Sequence, residues 1–276
     1  MSGAARLAGW GGLRGGGGLV TVATPESVHA VVAADLPCAI TLPLPARRGG
    51  FAPSGAARAR ESAAEADAVA VGPGLTTEVG PFLHRFLKGL SKPVVIDADA
   101  LNLVAREPGI LDVFEAPRVM TPHPGEAARL LGGKIGDRIG AAAALAERFR
   151  AVVVLKGMGT VVCDGENVYV EKAGNPGMAT GGTGDVLTGL LAARLAMGVP
   201  PFDAAVQAVH VHARAGDLAA AAVGEQSMIA TDLVASLPAA LGEIVEESLG
   251  RAKPGDRNVP GRGFRRGRGR GPAGSY

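Results

Sequence analysis

Short β-branched runs alternate with alanine-rich amphipathic segments along most of the chain, and that alternation leaves few architectures open. Candidate strands are Leu19–Ala23, Ala68–Val71, Val94–Asp97, Arg118–Met120, Val152–Lys156, Thr160–Cys163 and Val168–Glu171. Candidate helices fall at Pro25–Ala34, Pro81–Leu90, Pro124–Leu131, Ile139–Phe149, Asp185–Met197, Phe202–Ala222 and Thr231–Leu241. The expected fold is therefore α/β, with a mostly parallel sheet and helices on both faces. Thr160–Cys163 and Val168–Glu171 are joined by Asp164-Gly165-Glu166-Asn167, which reads as a β-hairpin at one side of the sheet. Arg47–Ala59, rich in Gly, Ala and Pro, reads as a surface loop.

Hydrophobic residues make up 47% of the chain but aromatics only 4%, so Ala, Val and Leu must fill the core. Two cysteines, Cys38 and Cys163, suit neither a disulfide framework nor a zinc site and fit a reducing compartment. Met1–Gly18 carries no signal-peptide pattern, and apolar runs such as Leu218–Val223 are too short to span a bilayer. The expectation is a soluble, cytoplasmic protein with no membrane partner. Charge is unevenly placed. Eight Lys/Arg and one acid lie from Arg251 onward, leaving 20 basic and 25 acidic residues before it. The chain thus reads as a folded domain at 1–250 and a Gly/Arg-rich tail at 251–276, expected to be disordered.

Four polar or glycine-rich signatures stand at the carboxyl ends of four candidate strands: Gly72-Pro73-Gly74, Asp97-Ala98-Asp99, Thr121-Pro122-His123-Pro124-Gly125-Glu126 and Lys156-Gly157-Met158-Gly159-Thr160. Open α/β sheets bind ligands at that edge, so the four point to one cleft. A fifth signature, Gly174–Asp185, holds several glycines and runs straight into an apolar helical segment. Its glycines let backbone approach a ligand, and the first amides of the helix are unpaired and partly positive. Such a site suits an anion, with Gly182, Thr183 and Gly184 as donors and Asp185 as a base beside them.

Each residue also has a structural reading. Asp185 alone would pass for a helix cap, and Gly72 and Gly74 for a plain turn. His123, framed by Pro122 and Pro124, is held rigidly at the strand end and reads as a ligand contact. Glu126 reads as a capping carboxylate or, through a water, as a support for Mg²⁺ near phosphates. Lys156 ends an apolar strand, so its ammonium should emerge at the cleft as a point charge for phosphate. Asp97 and Asp99 read as residues that satisfy loop amides. His210 and His212 read as structural, not metal-binding.

These segments resemble the ADP/ATP-dependent NAD(P)H-hydrate dehydratases, which have a ribokinase-like fold. The resemblance rests on "GLVTVATPES" (18–27), "VIDADALN" (95–102), "TPHPGE" (121–126), "VLKGMGTVV" (154–162) and above all "NPGMATGGTGDVLTG" (175–189), in that order. It implies an enzyme that restores NADH or NADPH from the S-epimer of the hydrated cofactor, phosphorylating the C6 hydroxyl and expelling phosphate. By residue-wise transfer Ala4, Gly74, His123 and Asp185 would contact the hydrated dinucleotide. Lys156, Gly157, Met158, Gly159, Thr160 and Gly184 would hold the nucleotide. The expected donor is ADP, with ATP as the alternative, together with Mg²⁺. A homo-oligomer is expected and no specific nucleic-acid partner. Family members usually begin with a buried strand and a Gly/Ser-rich turn before the helix that here starts near Gly3-Ala4-Ala5. That strand is missing from the pattern, so poor solubility or weak activity is expected. The competing readings are a small-molecule kinase of the same fold and an RNA-associated protein acting through Arg262–Arg270.

Overall fold

A computed structural model describes residues 2–250, with side chains through residue 244. The Gly/Arg-rich segment from Arg251 lies outside the described residues. By its internal contacts the chain divides after Leu241. The first unit holds the sheet. The described residues beyond it are the last turns of a helix.

The chain opens with α1 (Ser2–Arg14), β1 (Thr21–Pro25), α2 (His29–Asp35) and β2 (Ile40–Leu44). A small ribbon, β3 (Ala46–Arg47) and β4 (Gly50–Phe51), leads to α3 (Ala56–Glu65). Then β5 (Val69–Val71), α4 (Gly80–Leu87), β6 (Val94–Ile96), α5 (Ala98–Arg106), β7 (Arg118–Met120), α6 (Pro124–Leu131), α7 (Arg138–Phe149) and β8 (Val152–Leu155) alternate as the sequence pattern predicts. The hairpin β9 (Val161–Cys163) and β10 (Val168–Val170) follows, and then α8 (Thr183–Ala196), α9 (Pro201–Val223) and α10 (Ala230–Gly250).

Six strands form one sheet in the order β10-β9-β8-β7-β6-β5. β5 to β8 are parallel neighbours, and β9 and β10 run antiparallel at one side, as expected. β1 and β2 pair parallel in a separate two-stranded sheet. Side chains alternate across the main sheet with the period of two that strands impose. Val94, Ile96, Met120, Val153, Leu155, Val161 and Cys163 pack with α3–α7 into one core cluster. Val95, Val119, Val154 and Val162, buried too, point the other way, to the side where α8 and α9 contact the strands.

Several elements differ from the expectation. Arg47–Ala59 contains β3, β4 and the first turn of α3 instead of an open loop. β2 escapes a propensity reading because Pro43 interrupts it and proline is a poor strand former. α5 escapes it because its first residue, Ala98, has φ +48, which hides the helix start behind the strand-end aspartates.

Close approach of backbones seats α8. It is apolar on nearly every side, as a helix enclosed between sheet and other helices must be. α1 lies directly against it. A Cβ on Gly189 would run into the carbonyl oxygen of Ala8, and one on Gly11 into that of Val186. Neither obstacle is a flexible side-chain tip, so overpacking should cost about 1–3 kcal/mol or more. Gly189→Ala and Gly11→Ala are each expected to lower the melting temperature by several degrees in thermal unfolding, and more than Gly3→Ala, where a Cβ meets nothing within 4 Å.

Candidate active site

The parallel strands β5 to β8 deliver their signatures to one edge. The ladder continues past the strands through Asp97 N donating to Val71 O (3.0 Å), Thr121 N to Ile96 O (3.1 Å) and Lys156 N to Pro122 O (2.9 Å). The residues after each strand are thus fixed in a staircase. Gly72 is required by its neighbour: it has φ +130, and a Cβ there would strike the Asp97 carbonyl.

At the centre is a buried ion pair. Lys156 Nζ lies 2.7 Å from Asp97 Oδ1 and 4.0 Å from Glu126 Oε2, with only 18% and 2% of the Lys156 and Asp97 side chains exposed. Thr188 Oγ1 donates to Asp97 Oδ2 at 2.7 Å, tying α8 to the end of β6. The same ammonium faces the start of α8, since a Cβ on Gly184 would stand 3.4 Å from Nζ. The expectation that Asp97 satisfies loop amides is therefore corrected: it holds Lys156 and Thr188. Asp99 does serve a loop amide, accepting from Thr76 N at 2.8 Å.

The Gly174–Asp185 segment is more ordered than its composition suggests. Pro176–Met178 form a 3₁₀ turn whose first amides are met by Asn175, and Gly182 takes φ +98 as the N-cap of α8. Thr183 Oγ1 donates to Met178 O and Thr180 O. The amides of Thr183, Gly184 and Asp185 make no hydrogen bond to the described residues, as the first turn of a helix dictates. Asp185 sits in that turn and makes no hydrogen bond or ion pair among the described residues. Burial pushes its carboxyl up to about 6; the Asp97 charge adds to the rise, Lys156 opposes it and Asp99 reinforces it. At neutral pH it is an ionised base whose affinity for a proton is well above that of an ordinary aspartate.

His123 and Glu126 cap α6. His123 Nδ1 accepts from Gly125 N (2.9 Å), while Glu126 Oε2 accepts from His123 N (2.8 Å), a reciprocal capping box. The tautomer is fixed with the proton on Nε2, and half of the side chain remains exposed. Burial lowers the His123 pKa, with Lys156 and Arg129 adding to the effect, so the ring is neutral. Burial raises that of Glu126 against the pull of Lys156. No three His, Cys, Asp or Glu side chains converge as a metal site among the described residues. Glu126 caps α6 through its bond to the His123 amide.

Gly157, Met158 and Gly159 form the loop beside Lys156. Arg138, absent from the sequence-based set, donates from its guanidinium to the carbonyls of Leu155 (2.9 Å), Lys156 (3.1 Å) and Gly159 (3.4 Å). Thr160 Oγ1 closes the loop on Gly157 O, and Met158 stands 99% exposed. Ala4 lies in the first turns of α1, one turn before Leu7 and Ala8, which meet Gly182 and Gly189. Gly74 lies in the turn after β5, with φ +66. The arrangement puts a free base, unpaired amides and an ammonium together at one helix N-terminus. Chemically it can deprotonate a hydroxyl beside a phosphoryl anion.

Comparison with solved structures agrees on the architecture. A ribokinase-like protein of Enterococcus faecalis aligns with TM-score 0.73 at 26% identity, over 87% of this chain and 82% of its own. Phosphofructokinase-2 of Escherichia coli, at 16% identity and TM-score 0.53, shares the fold alone. The fold and the helix-terminal loop define a ribokinase-like α/β protein with no helix among the described residues long and apolar enough to cross a membrane. The family model for NAD(P)H-hydrate dehydratase matches residues 1–239, and the chain belongs to that family. Bacillus subtilis ADP/ATP-dependent NAD(P)H-hydrate dehydratase, crystallised with ATP and Mg²⁺, aligns with TM-score 0.72 at 31% identity over 88% of this chain and 87% of its own. The bifunctional NAD(P)H-hydrate repair enzyme of Moorella thermoacetica is 41% identical over 256 residues, 90% of this chain and 48% of the relative. That of Escherichia coli is 40% identical over 242 residues, 86% of this chain and 44% of the relative. The chain spans about half the length of these curated relatives.

Proposed function

We propose that the protein converts hydrated NADH or NADPH, as the S-epimer, back to the reduced cofactor, using ADP and releasing AMP and phosphate. The carrying observation is the Asp185 carboxyl, pushed up to about 6, in the same helical turn as the unpaired amides of Thr183 and Gly184. Asp185 takes the proton from the C6 hydroxyl as that oxygen attacks the terminal phosphorus of ADP. The new O–P bond forms, the bond to the AMP leaving group breaks, and charge on the transferring group is met by the Gly184 amide and Lys156. The ring-nitrogen lone pair then expels phosphate from C6, and loss of a proton from C5 restores the double bond. Water is thereby removed at the expense of a phosphoanhydride bond.

Mg²⁺ would accompany the nucleotide, supported through water by Glu126, and would offset charge on its phosphates. ADP is proposed as the donor, as the family resemblance implies, with ATP as the alternative. His123, with a neutral ring and a half-exposed side chain whose Nε2 lies 3.5 Å from Glu126 Oε1, is suited to contact the nicotinamide portion, together with Gly74 and Ala4. Lys156–Thr160 serves the nucleotide.

The test is product analysis with purified hydrated NADH, Mg²⁺ and either ADP or ATP. Return of NADH absorbance with stoichiometric phosphate is expected, with AMP formed from ADP. Accumulation of a phosphorylated product without inorganic phosphate would instead make the protein a small-molecule kinase.

A further inference from the structure

Among the buried titratable side chains that the functional reading above leaves unused, His212 touches the anion loop. His212 lies on α9 with 9% of its surface exposed, and its Nε2 is 2.8 Å from the carbonyl oxygen of Thr183. A carbonyl only accepts, so Nε2 carries the proton and donates. Burial pushes the imidazole pKa down to about 4, against the opposing effect of this hydrogen bond, and the ring stays neutral at working pH. A buried neutral donor of this kind holds its geometry without adding a charge.

The acceptor makes this contact more than packing. The carbonyl of Thr183 and the N–H of Gly184 belong to one planar peptide unit. A hydrogen bond to the oxygen draws electron density across the C–N bond and makes that N–H a stronger donor. The Gly184 amide is one of those left without a partner at the start of α8. It lies next to the Lys156 ammonium.

The rest of α9 grips the first part of the same loop. Asp217, five residues on, accepts from Gly174 N (3.1 Å) and from Asn175 Nδ2 (3.0 Å). Gly216 leaves room for Met178, whose Sδ a Cβ at that position would strike. His212 is the member of the set that reaches the turn bearing Gly184 and Asp185.

We propose that His212 is a positioning residue for phosphoryl transfer, orienting and polarising the Thr183–Gly184 peptide so that the Gly184 amide meets charge that develops on the transferring group. This rests on reading the start of α8 as the phosphoryl site. Because the interaction grows in the transition state, its loss falls on kcat and not on the KM for hydrated NADH.

Three proteins are compared: the parent, His212→Phe, which keeps the ring shape without a donor, and His212→Gln, whose amide N–H overlies Nε2. His212→Phe is expected to lower kcat about 10-fold, less than deletion of a direct oxyanion donor, with KM for hydrated NADH within about two-fold. His212→Gln should recover most of the loss. Should the Phe variant be insoluble, His212→Asn replaces it as a polar arm too short to reach the Thr183 oxygen. Parent-like kcat without the donor, or equal losses in the Gln and donor-less variants, would overturn the proposal. Calorimetric titration with orthovanadate, a phosphoryl mimic, separates the two readings. Weaker binding without the donor, and recovery in Gln, is expected even if hydrated NADH proves not to be the acceptor. Equal vanadate affinity in all three proteins would sink the role of His212 itself.

Discussion

At pH 7, Asp185→Asn is expected to lose about 10²-fold or more of its turnover and yet to melt at a higher temperature than the parent. The first effect is the usual scale for removing a general base. The second follows from linkage. The carboxyl titrates near 6 in the folded protein and near 3.8 in an unfolded chain, so the folded state binds its proton more tightly. Below about pH 4 both states are protonated and Asp185 costs nothing. As pH rises through 6 the folded protein must carry an ionised group that burial and Asp97 disfavour, and stability falls. Asparagine removes that penalty. The gap in melting temperature should be full at pH 7–8 and close as pH drops from 6 to 4. Over the same range the parent's kcat should fall about tenfold per pH unit below 6. Melting curves and initial rates across pH 4–8 check both. A variant that keeps parent-like turnover would reduce Asp185 to a residue of the helix start.

Lys156→Ala carries the largest expected cost in stability. Its removal strands the Asp97 carboxylate, whose side chain is 2% exposed, with only the Thr188 hydroxyl among the described residues to meet it. Leaving one partner of a buried pair uncompensated costs about 3–5 kcal/mol. Against a total of about 5–15 kcal/mol, that is enough to confuse a folding defect with a binding defect. Asp97→Asn/Lys156→Met separates them, since neither charge remains and Thr188 can still donate. The double variant should melt close to the parent, while calorimetry should find ADP bound at least 10-fold more weakly and hydrated NADH bound nearly as before. Single and double variants with the same low melting temperature would show that the pair's geometry, not its charge balance, holds this region together.

Glu126 shows how far local reading reaches. Its place in the first turn of α6 is legible from Thr121-Pro122-His123-Pro124-Gly125-Glu126, because a capping box needs only a residue at the N-cap and a carboxylate three positions on. Asp185 is legible for the same reason: glycines before an apolar helical run announce a helix N-terminus, and whatever acid follows must lie in its first turn. His212 shows the opposite case. Two histidines two positions apart cannot face the same side of a helix, so one had to turn inward. Nothing local says that the inward one meets Thr183, 29 residues earlier. Arg138 was hidden because its three carbonyl acceptors lie at the end of a different element, β8, and in the loop after it.

Alternating β-branched and alanine-rich segments were sufficient to determine a parallel sheet with the hairpin at its side, since strand and helix periodicities are written residue by residue. They also placed Gly74, Asp97, His123 and Lys156 at strand ends, and the parallel sheet brought those ends to one edge. Only the tertiary structure decided what those residues do to one another. Asp97 stands one residue past β6 and Lys156 one past β8, 59 positions apart in the chain. Their ion pair, its closure by Thr188 and the burial that raises the Asp185 pKa depend on which strands neighbour each other and on how closely α8 descends onto them. That descent is permitted by the close contacts of Gly11 and Gly189 with backbone oxygens. Burial and distance belong to the folded object, and with them the chemistry of a carboxylate whose identity alone was visible in the sequence.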